Sequence, residues 1–255
     1  MQNYNNSKKT QIKINYKEYS NKDNNETIVI LHWWWWSSDS WVEVWEILSQ
    51  NWFNVIIPDL PWFWETKLNY EFDLNEYAKV ISNFLKELNL NNFILWWHSN
   101  WWWISIKLVN SKIFNIKRLV LNNSAWIRND KKRSFKRKFF NFIIKPFKFL
   151  SKFKKLRIIF YKLIWSTDYI KTENIPYLKE TYKNIIWEDL KDDIKKIDID
   201  TLLIRWEKDT YTPTSDAYFF RNNIKKSKLV ILDWETHWIH LKNPIRLIDT
   251  FINNI

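Results

Sequence analysis

The chain contains no glycine, although its 255 residues are enough for one large domain. It carries 20 tryptophans, whereas average glycine usage would give about 18 glycines in a chain of this length. Folds that contain a large β-sheet need glycine where the backbone φ angle must be positive or where two backbones approach closely. The absence of glycine therefore restricts the turns that this sequence can make.

The tryptophans cluster where glycine is expected, at 33–36, at 62 and 64, and around His98-Ser99-Asn100 at 96–97 and 101–103. The sequence is rich in Ile, Asn, Lys and Phe and poor in Ala, as an AT-rich genome would give. Some bacterial lineages read the codon UGA as glycine, while a different translation table reads it as tryptophan. We therefore hypothesise that most of these tryptophans are glycines in the native protein, and we regard Trp34 and Trp41 as genuine. Crowding or a strained backbone is expected at Trp36, Trp62, Trp97 and Trp101.

The composition indicates one soluble globular protein. Hydrophobic residues make up 46% of the chain and charged residues 27%, which argues against disorder. No apolar run reaches the roughly 18 residues of a membrane-spanning helix, and no signal peptide opens the chain. We therefore expect a cytoplasmic protein, either a monomer or a homodimer. Cysteine is absent, which excludes disulfides and thiol nucleophiles, and we expect no metal site.

Short apolar runs alternate with helical patterns along most of the chain. Apolar runs of this kind are typical of strands buried on both faces of a parallel sheet, and the alternation predicts a doubly wound α/β architecture. The predicted strands are 12–16, 27–31, 53–57, 93–95, 118–121, 201–204 and 229–232. The predicted helices are 40–49, 74–88 with Asp73 as its N-cap, 100–109, 214–223 and 244 onward. Residues 127–197 interrupt this alternation, so we expect a core of 1–126 and 198–255 with an inserted helical cap of 127–197.

Ser99 lies at the junction between the predicted strand at 93–95 and the helix that follows it. Reading Trp97 and Trp101 as glycine gives the pattern G-x-S-x-G, the nucleophile elbow. Glycines are needed there because bulk two residues before or after the serine would collide with the neighbouring strand and helix. The first backbone N–H groups of the helix could stabilise a developing oxyanion. The alternative is an ordinary serine at a helix N-terminus.

With glycine restored, nearly the whole chain resembles the α/β-hydrolase superfamily, whose fold is a mostly parallel sheet of about eight strands. Residues 31–37 resemble the loop that follows the third strand of the family. The resemblance implies that the backbone N–H groups of Trp34 and Asn100 form the oxyanion hole. Residues 58–64 resemble the PDLPGFG turn of the family, which makes Asp59 structural rather than catalytic. We interpret His32 as a histidine that supports this loop.

The resemblance also implies the other two catalytic residues. Residues 204–209 resemble the turn that carries the acid, so Asp209 would orient the histidine, with Glu207 and Asp216 as competing carboxylates. Residues 233–241 resemble the loop that carries the general base, which we assign to His237 in preference to His240.

A serine nucleophile with a His–Asp pair is suited to acyl transfer to water. We therefore predict a carboxylesterase-like serine hydrolase that cleaves a small ester or related acyl bond and needs no cofactor. An aspartate at the elbow would instead have indicated dehalogenase or epoxide hydrolase chemistry. The alternative is a non-catalytic protein that uses the same fold to bind a ligand, which gains support if the tryptophans are genuine.

The positive charge of the chain is concentrated in residues 127–164. This stretch holds 14 Lys or Arg and one acid, Asp130, whereas the net charge of the whole chain is +12. One interpretation is a lipid or acyl hydrolase whose cap makes weak contact with an anionic membrane. The interpretation that we favour is a cap helix with solvated lysines. No recognition motif supports nucleic-acid binding, so the expected partner is a small-molecule acyl substrate.

Overall fold

The computed structural model describes residues 12–20, 23, 26–33, 35–63, 66, 70–99, 102–124, 171–186, 188–207, 209, 212 and 214–255. Seven strands lie in these residues: β1 (Tyr16–Tyr19), β2 (Glu26–Leu31), β3 (Phe53–Pro58), β4 (Asn92–His98), β5 (Asn115–Asn122), β6 (Asp200–Trp206) and β7 (Ser227–Leu232). The helices are α1 (Val42–Gln50), α2 (Leu74–Glu87), α3 (Trp103–Ser111), α4 (Pro176–Ile186), α5 (Lys191–Lys195), α6 (Thr214–Asn223), α7 (Ile239–Lys242) and α8 (Pro244–Ile252). Short 3-10 helices span Ser38–Trp41 and Thr172–Asn174.

The seven strands form one sheet in the order β1-β3-β2-β4-β5-β6-β7. Every neighbouring pair is parallel except β1 with β3, which is antiparallel. The predicted mostly parallel, doubly wound sheet is therefore confirmed. The chain moves outward from β2 to β3 and then crosses to the other side of β2 to form β4. The strand order thus reverses between β2 and β4, and in open α/β sheets this is where ligands bind, at the carboxyl ends of the strands.

Alternate residues of the central strands face two separate hydrophobic cores. In β2, Val29 and Leu31 belong to the core under α2, α3 and α6, whereas Ile28 and Ile30 belong to the core under α1 and α8. This period of two follows from the pleat of a strand. Because both faces of the sheet are covered, the strands read as continuous apolar runs in the sequence.

Helix α2 begins as the sequence predicts. The Asp73 carboxylate accepts a hydrogen bond from the Glu76 backbone N–H at 2.8 Å, and the Asp73 backbone N–H donates to the Glu76 side chain at 3.1 Å. This reciprocal pair is a capping box, which satisfies two backbone donors at the helix N-terminus. Tyr77, Ile81 and Leu85 then form the buried face of the helix.

Several predicted elements have different bounds in the structure, among them the first strand and α3. The first strand is Tyr16–Tyr19 rather than 12–16, and it pairs at the sheet edge with β3 through Tyr16 opposite Pro58 and Tyr19 opposite Val55. Helix α3 begins at Trp103 rather than at Asn100. Alternating apolar residues fix the faces of an edge strand but not its ends, because pairing with the neighbouring strand decides where the ladder starts.

Most of the predicted cap lies outside the described residues. The described part of 127–197 consists of the 3-10 helix Thr172–Asn174, α4 and α5, which precede β6. The cationic stretch 127–164 is not among the described residues, so the cap, its boundaries and its contact with a membrane remain predictions. Within the described ranges, no helix is long and apolar enough to cross a membrane.

Candidate active site

Ser99 lies directly beyond β4 at the carboxyl edge of the sheet, next to the point where the strand order reverses. Its φ angle is 68°, in the left-handed region that is costly for a residue with a side chain. The Ser99 backbone N–H donates to the Asn122 carbonyl oxygen at 2.8 Å, which ties this turn to the end of β5. The sharp turn between strand and helix thus directs the Ser99 side chain away from the strand ladder.

The structure brings Ser99, His237 and Asp209 into one chain of hydrogen bonds. The Ser99 Oγ atom lies 2.7 Å from His237 Nε2, and His237 Nδ1 lies 2.8 Å from Asp209 Oδ2. The three residues come from the ends of β4 and β6 and from the turn before α7. The ionised Asp209 carboxylate can only accept a hydrogen bond, so His237 Nδ1 is the donor in this contact. His237 Nε2 then offers a lone pair to the Ser99 hydroxyl.

Asp209 is the carboxylate that contacts the His237 imidazole, and its side chain is fully buried. Thr212 donates its hydroxyl to Asp209 Oδ2 at 2.6 Å and its backbone N–H to Asp209 Oδ1 at 3.3 Å. Of the competing carboxylates, Glu207 is exposed in the turn after β6 and Asp216 lies in the first turn of α6. Proximity to His237 therefore favours the predicted choice of Asp209.

His240, the competing base, lies in α7 on the far side of His98. Its ring stacks on Trp41 with a centroid separation of 4.7 Å and an interplanar angle of 18°, and it lies 4.5 Å from the His98 ring. Burial and, to a smaller extent, neighbouring His237 lower the pKa of His240 to about 3. His240 is therefore a neutral packing residue in this arrangement, and the contact with Ser99 is made by His237.

The sequence patterns predict no role for His98. It is fully buried, with its ring centroid 5.1 Å from that of His237, and burial holds its pKa well below the ordinary value. Among the described residues, neither of its ring nitrogens has a hydrogen-bond partner. The residue is the last of β4, and its position next to Ser99 is the only signal for it in the sequence.

His32 and Asp59 link the loops that follow β2 and β3. His32 donates from Nδ1 to the Trp33 carbonyl at 2.9 Å and accepts at Nε2 from the Leu60 backbone N–H at 3.0 Å. Asp59 accepts from the Ser38 backbone N–H at 2.7 Å and from the Asn15 side chain at 2.6 Å. Burial lowers the pKa of His32 to about 4. Both residues thus serve the structural role that the sequence indicates.

Trp34 and Asn100, which the resemblance places in the oxyanion hole, lie outside the described residues. Their neighbours Trp33 and Ser99 are described, and both lie at the carboxyl edge of the sheet. The Trp33 ring packs edge-on against His237 at 5.3 Å and lies tilted against the Trp238 ring at 5.1 Å. Ser99 and His237 are accordingly almost inaccessible to solvent.

The positive φ angles fall on some of the tryptophans that were expected to be strained and on others that were not. Trp62 has φ of 79°, as expected. Trp36 and Trp97 do not have positive φ, and Trp97 is a buried residue of β4, so a left-handed backbone is not observed at these two positions. Trp101 lies outside the described residues. Trp35, Trp52 and Trp234 do have positive φ angles.

Within the described ranges, no group of three or more His, Asp or Glu side chains could hold a metal ion. The residues joined by hydrogen bonds around His237 are the serine Ser99 and the buried carboxylate of Asp209. This set is suited to proton transfer and to nucleophilic attack by the serine.

Solved structures share this fold over nearly the whole chain. An α/β-hydrolase enzyme from a metagenome of lagoon sediments of Mar Chica, Morocco, is 18% identical, with a TM-score of 0.65 and coverage of 94% of each chain. An esterase from Exiguobacterium antarcticum is 18% identical, with a TM-score of 0.70 and 94% coverage of each chain. A hydrolase from Oleispira antarctica is also 18% identical, with a TM-score of 0.70 and 96% coverage of each chain. No protein-family model and no curated protein matches the sequence.

Proposed function

We propose that this chain, which has the α/β-hydrolase fold, is a serine hydrolase that cleaves a small ester or related acyl bond. The observation that carries this proposal is the position of His237, 2.7 Å from Ser99 Oγ and 2.8 Å from Asp209 Oδ2. The similarity to an esterase and to other hydrolases of this fold supports the same class of reaction.

In the proposed reaction, His237 Nε2 takes the proton of the Ser99 hydroxyl while Ser99 Oγ attacks the carbonyl carbon of the substrate. The tetrahedral intermediate collapses, the acyl–oxygen bond to the leaving group breaks, and His237 returns the proton to the departing alcohol. Water then attacks the acyl-enzyme while His237 takes its proton, the bond between the acyl carbon and Ser99 Oγ breaks, and His237 returns the proton to Ser99 Oγ as the acid product leaves. Asp209 keeps its charge throughout and stabilises the imidazolium.

The proposal assigns the oxyanion hole to the backbone N–H groups of Trp34 and Asn100. Asn100 directly follows the nucleophile and Trp34 belongs to the loop after β2, the two places from which this kind of elbow takes its donors. Preorganised donors of this type account for about 3 kcal/mol of barrier lowering each.

The proposed function is tested by labelling with a fluorophosphonate probe and by turnover of a panel of esters with short to medium acyl chains. The protein is prepared in two forms. One has the sequence as given, and the other is expressed with every UGA codon decoded as glycine. Labelling and ester turnover by either form support the proposal. If both forms fold, and neither is labelled by the probe or hydrolyses any ester of the panel, the proposal is overturned and a ligand-binding role is favoured.

Replacing each of the two competing histidines separates their roles. We expect His237→Gln to lower kcat by roughly 10³-fold or more, because Ser99 loses its base. We expect His240→Phe to keep kcat within about tenfold of the parent, because phenylalanine can preserve the stacking on Trp41. Steady-state kinetics on the best ester measures both. Equal losses in the two variants would contradict the assignment of His237.

A further inference from the structure

Asn123 is a buried polar residue that follows β5 and contacts the carboxylate of Asp209. We infer that Asn123 is a positioning residue for the proposed reaction, acting through Asp209 on His237. The inference rests on the proposed function. The sequence offers one weak signal for it, a run of polar residues (Asn122, Asn123 and Ser124) after a buried strand at the carboxyl edge of the sheet.

Both ends of the Asn123 amide are used. Its Oδ1 atom accepts the Trp206 backbone N–H at 3.0 Å, and its Nδ2 atom donates to Asp209 Oδ2. Its own backbone N–H donates to the Ile204 carbonyl oxygen at 2.9 Å. One side chain therefore joins the end of β5, the last residue of β6 and the carboxylate that follows β6.

The backbone of Asn123 has φ of 49°, a left-handed conformation that asparagine adopts more readily than most residues. This conformation lets the side chain turn toward β6 where the strand ladder ends. An asparagine thus meets two requirements here, since it tolerates the backbone angle and provides a donor on one side of its amide and an acceptor on the other.

The donors on Asp209 Oδ2 determine how the carboxylate acts on the histidine. This oxygen accepts from Asn123 Nδ2, from the Thr212 hydroxyl at 2.6 Å and from His237 Nδ1 at 2.8 Å. We expect the Asn123 donor to restrict the position of this oxygen and to withdraw part of its negative charge. Without that donor, the carboxylate would be freer to move and would stabilise the protonated imidazole more strongly.

The test uses Asn123→Asp, which keeps the shape but replaces the donor by an acceptor, and Asn123→Gly, which removes the side chain and accepts the positive φ. The matched control is Asn89→Gly, because Asn89 has φ of 55°, is exposed at the end of α2 and lies away from the site. If Asn123→Asp fails to fold, Asn123→Gly carries the test.

We expect both Asn123 variants to lose about 10- to 100-fold in kcat with little change in KM, as is typical of a displaced catalytic group. The acid limb of the pH profile of kcat/KM should move to higher pH, and the proton NMR resonance of the His237–Asp209 hydrogen bond should shift. Asn89→Gly should change none of these. Unchanged kcat, or a loss of kcat without movement of the acid limb and of the resonance, would overturn the inference. The NMR readout needs no turnover, so it separates this inference from failure of the proposed function.

A different observation supports a second inference, about four tryptophans. Trp35, Trp52, Trp62 and Trp234 have φ angles of 73°, 67°, 79° and 64°. This left-handed region is favourable for glycine and is a genuine outlier for a bulky residue. We propose that these four residues are glycines in the native protein, decoded from UGA.

The local hydrogen bonds at two of these positions are those of glycine-containing turns. The Phe63 backbone N–H donates to the Leu60 carbonyl at 3.0 Å, which closes a turn with Pro61 and Trp62 at its centre. Proline second and a residue with φ near +80° third define a type II turn, in which the third residue is normally glycine. Trp52 follows the C-terminus of α1 and its N–H donates back to the Ser49 carbonyl at 3.3 Å, at the position where helices commonly end in glycine.

Masses of peptides from the protein in its native source test this proposal directly. We expect glycine at 35, 52, 62 and 234 and tryptophan at 41; tryptophan at the four positions would overturn it. In recombinant protein, Trp52→Gly should raise the midpoint of thermal unfolding by roughly 2–4 °C, since Trp52 is exposed and loses little packing. Trp41→Gly, which empties a buried site, should lower the midpoint, and a lower midpoint for Trp52→Gly would count against the proposal.

Discussion

We expect the replacement of Ser99 by alanine to abolish labelling by the fluorophosphonate probe and to lower ester turnover by roughly 10⁴-fold or more. In the proposed mechanism the Ser99 hydroxyl forms the acyl-enzyme, and alanine cannot replace it in the contact with His237 at 2.7 Å. Removing a member of such a triad leaves only the rate that the oxyanion hole and substrate binding provide. Intact-mass detection of the labelled enzyme and steady-state kinetics measure the two effects.

Ser105→Ala is the matched control for this experiment. Ser105 is a fully buried serine of α3, in the helix that follows the Ser99 turn. Ser105 is not part of the hydrogen-bonded chain of Ser99, His237 and Asp209. We therefore expect labelling and turnover close to those of the parent. Labelling that persists in Ser99→Ala and disappears in Ser105→Ala would move the nucleophile to the helix.

The central strands were predictable because their burial is two-sided. The apolar runs at 27–31, 53–57 and 201–204 all lie inside strands of the structure, since a strand covered by helices on both faces has no polar side to reveal. The first residue of α3 was harder to predict from the sequence. Three residues separate Ser99 from Trp103, where the helix begins, and tertiary contacts decide where such a turn ends.

The residues of the site differ in how far the sequence could reveal them. Ser99, Asp209 and His237 each follow a strand, so the fold brings them to one edge of the sheet, and the order of motifs indicated their roles. Asn123 and Thr212 could not be assigned from the sequence, because their importance depends on which carboxylate they contact. The same limit applies to His98, whose neighbours His237 and His240 come from distant parts of the chain.

The amino-acid composition points to an unusual residue type, but it does not identify the positions at which the backbone is strained. Trp97 was expected to be strained, yet its φ is not positive, and it pairs in register with Leu31 of β2 and Leu121 of β5. The left-handed angles occur instead where turns close, at Trp35, Trp52, Trp62 and Trp234. The proposal of glycine at these four positions therefore rests on turn geometry and not on crowding near Ser99.

Acidification from pH 7 to pH 5 strongly destabilises the folded protein. His32, His98 and His240 are buried and neutral, and burial lowers their pKa values, to about 4 for His32 and to about 3 for His240. In the unfolded chain the same histidines titrate near pH 6.5. Below that pH the unfolded state therefore binds protons that the folded state cannot, and the free energy of unfolding falls with each further drop in pH.

The expected size of this effect is large compared with the stability of a typical domain. Each such histidine contributes about 1.4 kcal/mol per pH unit below 6.5, until its folded pKa is reached. At pH 5 this is on the order of 2 kcal/mol each for His32 and His240, and His98 adds a loss in the same direction. Since domains are usually stable by about 5–15 kcal/mol, we expect a large loss of stability at mildly acidic pH.

Variants that remove one titrating group identify the histidines responsible. His32→Asn keeps a donor for the Trp33 carbonyl and an acceptor for the Leu60 N–H, and His240→Phe keeps a ring on Trp41. Urea unfolding at several values of pH between 7 and 5 gives the free energy of unfolding, whose slope counts the protons taken up. Each variant should take up about one proton fewer than the parent near pH 5. Protonation of the other groups is common to parent and variant, so it cancels in the comparison. If the free energy of unfolding falls with pH equally in parent and variants, His32 and His240 are not the groups that make the fold sensitive to acid.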